Sequence, residues 1–256
     1  MTISTEHDAF AKRLARARTG AGRLDAAAML QPRDENEAFA IQHATLEGAP
    51  IGGWKIGAKT ATERPTGSPL PASGIHRSGV TLAREAYWPC GLELELAFRF
   101  GRVFAPQPAG YDDDEVFAAV EQMCATVEIV SSRYAAWPGV DRLAGLADLQ
   151  NHGALVVGEA SPYRVDFPFL SPKMRFLIDD HDIVADTVDG KPTNTVGDPR
   201  RALPWFVDHC TRHLGIPVTP DMIVTAGSYT GLYLPKGAGS VRGEIDGLAP
   251  VTFELV

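Results

Sequence analysis

The sequence predicts an α+β protein built around a mixed β core, on three observations. Short segments alternating apolar and polar residues recur from residue 51 to the C-terminus, the period of a half-buried strand. Amphipathic helical segments are few, two of them in the first 50 residues and two further on. Strand-like and helix-like segments do not alternate regularly, which argues against a Rossmann arrangement. The 25 glycines and 19 prolines among 256 residues supply the turns that many strands require. A hydrophobic fraction of 45% is enough for a substantial core, and the length suits one large domain with a smaller attachment. The expected division is a helical segment over 1–50, packed on a mixed-β domain over 51–256.

Taken in order, residues 6–20 read as a helix with Phe10 and Leu14 on one side. A second helix covers Asp34 to Glu47, with Asp34 as N-cap, Glu37 in capping-box position and Gly48 as terminator. GGWKIGAKT, from Gly52, reads as a short strand, and the Pro/Gly/Ser/Thr-rich stretch from Ala61 to Gly79 as a long loop. GLELELAFRF (91–100) is the clearest strand, with Leu92, Leu94, Leu96, Phe98 and Phe100 on one face and Glu93, Glu95, Ala97 and Arg99 on the other. DDDEVFAAVEQM (112–123) predicts a helix with an acidic start and a Val116, Val120, Met123 stripe. TVEIVSS (126–132) predicts a strand carrying Glu128, and LADLQNHGALVVG (146–158) a turn followed by a short strand. Residues 174–190 suggest a hairpin about Asp179, Asp180, His181 and Asp182, and 202–215 a helix ending at Gly215. Strand texture returns in MIVTAGSYTG, SVRGEI and APVTFELV.

Charge and composition narrow the partners. With 24 Lys+Arg against 32 Asp+Glu, the formal charge is −8, and no basic stripe marks a nucleic-acid surface. Cys90, Cys124 and Cys210 are widely spaced and odd in number, so neither a disulfide framework nor a thiolate zinc site is indicated. The first residues show no signal-peptide pattern, and no stretch approaches a membrane span. A cytoplasmic protein is expected, with no nucleic-acid or membrane partner.

Glu93 and Glu95 form the sharpest chemical signal. Residues i and i+2 of a strand project together, so two carboxylates leave one apolar strand side by side, an arrangement that a hard divalent cation relieves. The alternative reading is a solvated polar face. Glu128 is a third carboxylate set in apolar sequence, and spacing alone does not bring it to the other two. Lys55, between Trp54 and Ile56, suits an anion clamp or an acid–base group, or else snorkels to solvent. Asp148, Gln150, Asn151 and His152 crowd one turn and either line a cleft or cap it; His152 is a candidate acid or base. Arg133 either neutralises the glutamates or makes an ordinary ion pair. Two patterns are set aside. GAGSVRG, from Gly237, misses the dinucleotide spacing by one residue, and HCTRH, from His209, lacks the glutamate of a zincin helix.

GGWKIGAKT, LELELAF, TVEIVSSRYAAW, LADLQNHGALVVG and DMIVTAGSYTG occur in this order. Together they resemble the 2-keto-4-pentenoate hydratase and 4-oxalocrotonate decarboxylase branch of the fumarylacetoacetate hydrolase superfamily, over the whole chain. The resemblance implies a mixed β roll like the C-terminal domain of that superfamily, with a small N-terminal α/β region, and a homo-oligomer. It implies Glu93, Glu95 and Glu128 as ligands of Mg²⁺ or Mn²⁺, and Lys55 and Asp148 as catalytic residues. The chain departs from the hydratase pattern: LPASG puts Ala72 where the family has an aspartate, Leu149 replaces an asparagine, and Gly91 stands where an arginine is common. The expected reaction is hydration of a 2-hydroxyalka-2,4-dienoate to a 4-hydroxy-2-oxoalkanoate. The alternatives are decarboxylation of a 2-oxo-3-enedioate, C–C hydrolysis of an acylpyruvate, and a non-catalytic binding protein on the same fold.

Overall fold

The computed structural model describes residues 3–20, 22–28 and 31–256. Helix α1 (Thr5–Arg18) starts at Ser4, whose hydroxyl accepts the His7 N–H, and α2 (Glu35–Thr45) starts at Asp34, whose carboxylate accepts the Glu37 N–H. The capping box is only half formed: Glu37 turns its carboxylate to the N–H and guanidinium of Arg33. Phe10, Leu14, Ala38, Phe39 and Ile41 from these helices are buried against Tyr134, Ala144, Leu146 and Ala147.

The strands are β1 (Ile51–Gly57), β2 (Thr66–Pro71), β3 (Ile75–Arg77), β4 (Val80–Leu82) and β5 (Pro89–Phe100). After α3 (Asp113–Ala118) come β6 (Val120–Ser131), α4 (Arg142–Ala147), β7 (His152–Val157), β8 (Ser161–Pro162), β9 (Met174–Ile178) and β10 (His181–Asp182). The chain closes with α5 (Val184–Val188), α6 (Ala202–Asp208), β11 (Ile223–Ser228), β12 (Gly239–Ile245) and β13 (Val251–Leu255). One sheet of eight strands runs β2-β1-β11-β5-β6-β7-β3, with β8 attached to β6; a second, of five, runs β10-β9-β12-β13-β4. Parallel pairs (β1–β11, β3–β7, β4–β13) mix with antiparallel ones, as expected for an α+β fold with mixed sheets. Leu92, Leu94, Leu96, Val127 and Ile129 of the first sheet meet Phe176, Val241, Ile245, Val251 and Phe253 of the second in the main core. Among the described residues no helix is long and apolar enough to cross a membrane.

Three expectations need correction. The long loop expected over 61–79 contains β2, paired with β1 (Lys55 opposite Ser68), and the short β3. Its prolines concealed it: Pro69 and Pro71 cannot donate to a ladder, yet are tolerated because β2 is an edge strand. The helix expected over 112–123 stops at Ala118, and Val120 and Met123 belong to β6. There the β5 ladder, with Phe100 opposite Val120 and Phe98 opposite Met123, overrides a helical apolar spacing. The hairpin over 174–190 keeps its first limb and its turn, where Asp179 and Asp180 take φ of +48° and +66°, the backbone of a tight two-residue turn. Its second limb is two residues long, because the Asp182 carboxylate accepts the Val184 N–H and opens α5.

Candidate metal centre

The apolar face of β5 is committed to the core, so Glu93 and Glu95 must project from the opposite face. Register supplies what spacing alone does not. Glu128 on β6 lies directly opposite Glu93 on β5. One carboxylate oxygen from each of Glu93, Glu95 and Glu128 can be chosen so that all lie within 4.8 Å of one another. Glu95 and Glu128 are buried and Glu93 is half-buried.

Lys55, two strands from β5 across β11, reaches the same point. Its Nζ lies 2.7 Å from Oε1 and 2.6 Å from Oε2 of Glu128, and also donates to the Gln150 carbonyl at 3.3 Å. Snorkelling is therefore not its role. The Thr225 hydroxyl donates to Glu95 Oε2 and pairs with Thr126 at 3.0 Å. His152 is fully buried, with Nδ1 3.1 Å from Glu128 Oε1.

The electrostatics show strain that a cation would relieve. Burial, reinforced by the charge of Glu128, pushes Glu93 up to about 7, against the pull of Lys55. Burial, then Glu128 and Glu93, raise Glu95 well above the ordinary carboxylate value. Burial would also raise Glu128, but Lys55 and His152 outweigh it and hold Glu128 low. Burial would lower Lys55, but Glu128, Glu93 and Glu95 outweigh it and keep the ammonium charged. Burial pulls His152 down to about 4, so the ring is neutral at physiological pH. When all three carboxylates are ionised, one lysine leaves the group two charges negative. An all-oxygen, doubly negative cluster fits a hard divalent ion, which binds such ligands at about 2.0–2.6 Å.

Asp148 lies elsewhere. Its buried carboxylate is bound by the Arg133 guanidinium and, at 2.9 Å, by the Arg133 N–H. Arg133 is thus the partner of Asp148 and not of the glutamates. The turn after Asp148 carries three left-handed residues in succession, Leu149, Gln150 and Asn151, at φ of +49°, +50° and +58°. This backbone aims the Gln150 carbonyl at Lys55, a strained stretch beside a candidate site. At the Gly91 departure the space is taken by Leu232: a Cβ there would stand 2.3 Å from Leu232 Cδ1, so a larger residue would require that half-buried side chain to move. GAGSVRG runs into β12, confirming that it is no dinucleotide loop.

A cleft of about 980 Å³ opens over Glu93, Glu95 and Lys55. Lys59, Arg64 and Arg142 also line it. Arg64 and Arg142 both reach Glu35, at 3.5 and 3.0 Å, whereas Lys59 has no ion pair or hydrogen bond among the described residues. Sequence reasoning passes over these cations and over Thr225. Thr225 had a faint signal, a hydroxyl inside an apolar strand; the cations lie on loops and helix ends that periodicity does not place.

No family model matches the sequence, and no curated protein matches it. Solved structures do. The chain is similar to 4-oxalocrotonate decarboxylase from Pseudomonas putida complexed with magnesium and adipate, at 14% identity, 100% of this chain and 99% of that one, and a TM-score of 0.81. The same enzyme complexed with calcium and acetate gives 14%, 100%, 99% and 0.79. A 2-hydroxyhepta-2,4-diene-1,7-dioate isomerase from Mycobacterium marinum is similar at 15% identity over 81% of this chain and 76% of that one, with a TM-score of 0.57. These likenesses establish the fold, a mixed α+β architecture shared over the full chain with 4-oxalocrotonate decarboxylase.

Proposed function

We propose that this chain, on the fold it shares with 4-oxalocrotonate decarboxylase, is a divalent-metal-dependent carboxy-lyase acting on a small 2-oxo-3-enedioate. The observation that carries this reading is the cleft itself: Glu93, Glu95 and Lys55 at its floor, with Glu128 buried against them, and the cations Lys59, Arg64 and Arg142 on its wall. A substrate with two carboxylates uses both ends. The similar decarboxylase binds magnesium and adipate, a dicarboxylate, which supports the same arrangement here. Hydration, expected from the motifs, ranks second: Ala72 offers no proton-transferring group, and a solved structure alike over the full length is a decarboxylase.

Glu93, Glu95 and Glu128 would hold Mg²⁺ or Mn²⁺. When bound, the ion supplies Lewis acidity toward a 2-oxo acid, favouring negative charge on its C2 oxygen. Lys55, kept charged by the glutamates, would donate a hydrogen bond from Nζ to that oxygen while carbon dioxide leaves the distal end. Lys59 would orient the distal carboxylate through its free ammonium. Asp148 we assign to positioning, since both its oxygens are engaged by Arg133.

Purified protein with Mg²⁺ or Mn²⁺ is offered 2-oxohex-3-enedioate and, separately, 2-hydroxypenta-2,4-dienoate, and products are identified by mass. Metal-dependent release of carbon dioxide from the first is expected, with Lys59→Met raising KM more than it lowers kcat. Gain of water by the second, with the dioate untouched, would overturn decarboxylation in favour of hydration.

A further inference from the structure

The buried histidine behind Glu128 belongs to a line of hydrogen bonds that begins at Asp148. Asp148 fixes Arg133 through the guanidinium, through the Arg133 N–H at 2.9 Å, and through its own carbonyl, which accepts from Nη2 at 2.8 Å. Arg133 Nη1 donates to the His152 carbonyl at 2.7 Å, and Arg18 Nη1 donates to the same oxygen at 2.9 Å. His152 begins β7, and its ring is wholly buried. Its Nδ1 stands 3.1 Å from Glu128 Oε1. An ionised carboxylate only accepts, so Nδ1 carries the proton and donates. Among the described residues Nε2 is buried with no hydrogen-bond partner and faces Gly74, where even a Cβ would lie 3.4 Å away. Among the described residues the ring's one hydrogen bond is to Glu128.

We propose that His152 is a positioning residue for the metal centre: held by Arg133, Arg18 and Asp148, it fixes Oε1 of Glu128 and leaves Oε2 to face the ion. This rests on the reading of Glu128 as a metal ligand. Lys55 does not single out one oxygen, because its Nζ spans both oxygens of Glu128. A ring on an anchored backbone holds one carboxylate oxygen in place, and removing groups that orient a ligand in this way typically costs about 10–100-fold in metal affinity.

The test compares Mn²⁺ binding, by calorimetry and by the spin resonance of free Mn²⁺, in wild type, His152→Leu and His152→Asn. Leucine keeps the bulk and removes the donor, whereas the asparagine amide can place its nitrogen where Nδ1 was. His152→Leu should bind Mn²⁺ about 10–100-fold more weakly, and His152→Asn should recover most of the loss. A purely structural role would lower the melting temperature of both variants and leave Mn²⁺ affinity alone, which overturns the proposal. Wild type that binds no Mn²⁺ overturns the ligand reading and this one together; wild type and His152→Leu binding equally overturns this one only. Should the leucine variant not fold, nitrogen-15 NMR of the wild-type imidazole decides: the Nδ1–H tautomer supports the proposal, and the Nε2–H tautomer overturns it.

Discussion

Replacing Glu95 by glutamine separates what its carboxylate costs from what it does. In the metal-free protein Glu95 is buried, with its value raised by burial and by two neighbouring glutamates. An amide of the same shape removes that burden, so metal-free Glu95→Gln should be at least as stable as wild type, and Mn²⁺ should no longer raise its melting temperature. A full Mn²⁺ response would remove Glu95 from the ligand set. Glu93 gives the pH dependence. Its value rises from 4.5 to about 7 in the folded state, so the folded protein holds that proton more tightly than the unfolded chain. The resulting stability is complete below the unfolded value and is lost as pH rises through about 7. Metal-free protein should therefore melt lower at about pH 8 than at about pH 6, and Mg²⁺, competing with the proton, should reverse the order. Melting scans with and without chelator check both signs. At this scale the sequence was informative where geometry is local: i and i+2 on a strand put Glu93 and Glu95 together. Glu128 was named by the ordered motifs but not by spacing, because only the β5–β6 register brings that residue opposite Glu93. The sequence left open the surroundings of Asp148 and the partner of Arg133, because those two residues, 15 positions apart, meet only in the fold.

Elements were legible where one face is plainly apolar and obscure where tertiary pairing decides. β5 was read directly, whereas β6 was half hidden because Val116, Val120 and Met123 fit a helix until Phe98 and Phe100 claim Met123 and Val120 across the ladder. The helix expected over 202–215 is present, but its second half widens into a π-helical segment, His209–Leu214, before Gly215 ends it at φ +68°. That segment holds His209 in an aromatic box: stacked on Trp205 at 4.9 Å, and 4.4 and 5.8 Å from Phe39 and Trp54. Burial, helped by His213 and Arg64, lowers His209 from 6.5 to about 4. The unfolded chain then takes up the proton first, so His209 favours the fold above about pH 6.5 and that contribution is lost as pH falls toward 4. Between pH 7 and pH 4.5 this amounts to about 2 kcal/mol. Urea titrations at both values should show the wild type losing about 2 kcal/mol more than His209→Leu. Equal losses would mean that the box admits a protonated ring.

The two-sheet layering could not be read from periodicity, which tells which face of a strand is buried but not what buries it. Once layered, the second sheet bears directly on the strand that carries two of the three candidate ligands. Leu94, between Glu93 and Glu95, points away from them into the interlayer core. There it meets β12 at Gly243, where a Cβ would lie 2.5 Å from Leu94 Cδ1 and 3.0 Å from Val251 Cγ1. The glycine that helped GAGSVRG mimic a dinucleotide loop is thus a point of close approach between sheets. Leu94 and Val251 are fully buried and have little space into which to retreat, so Gly243→Ala overpacks the interface. The expected loss of stability is about 1–3 kcal/mol in urea titrations of metal-free protein. Relief comes most directly by displacing Leu94 along with β5, so Mn²⁺ affinity should fall in the same variant. If stability drops while affinity holds, β5 is rigid enough to shield the metal centre, and the second sheet is only a support. If neither changes, the sheets are not in the tight contact that the absent side chain at 243 implies.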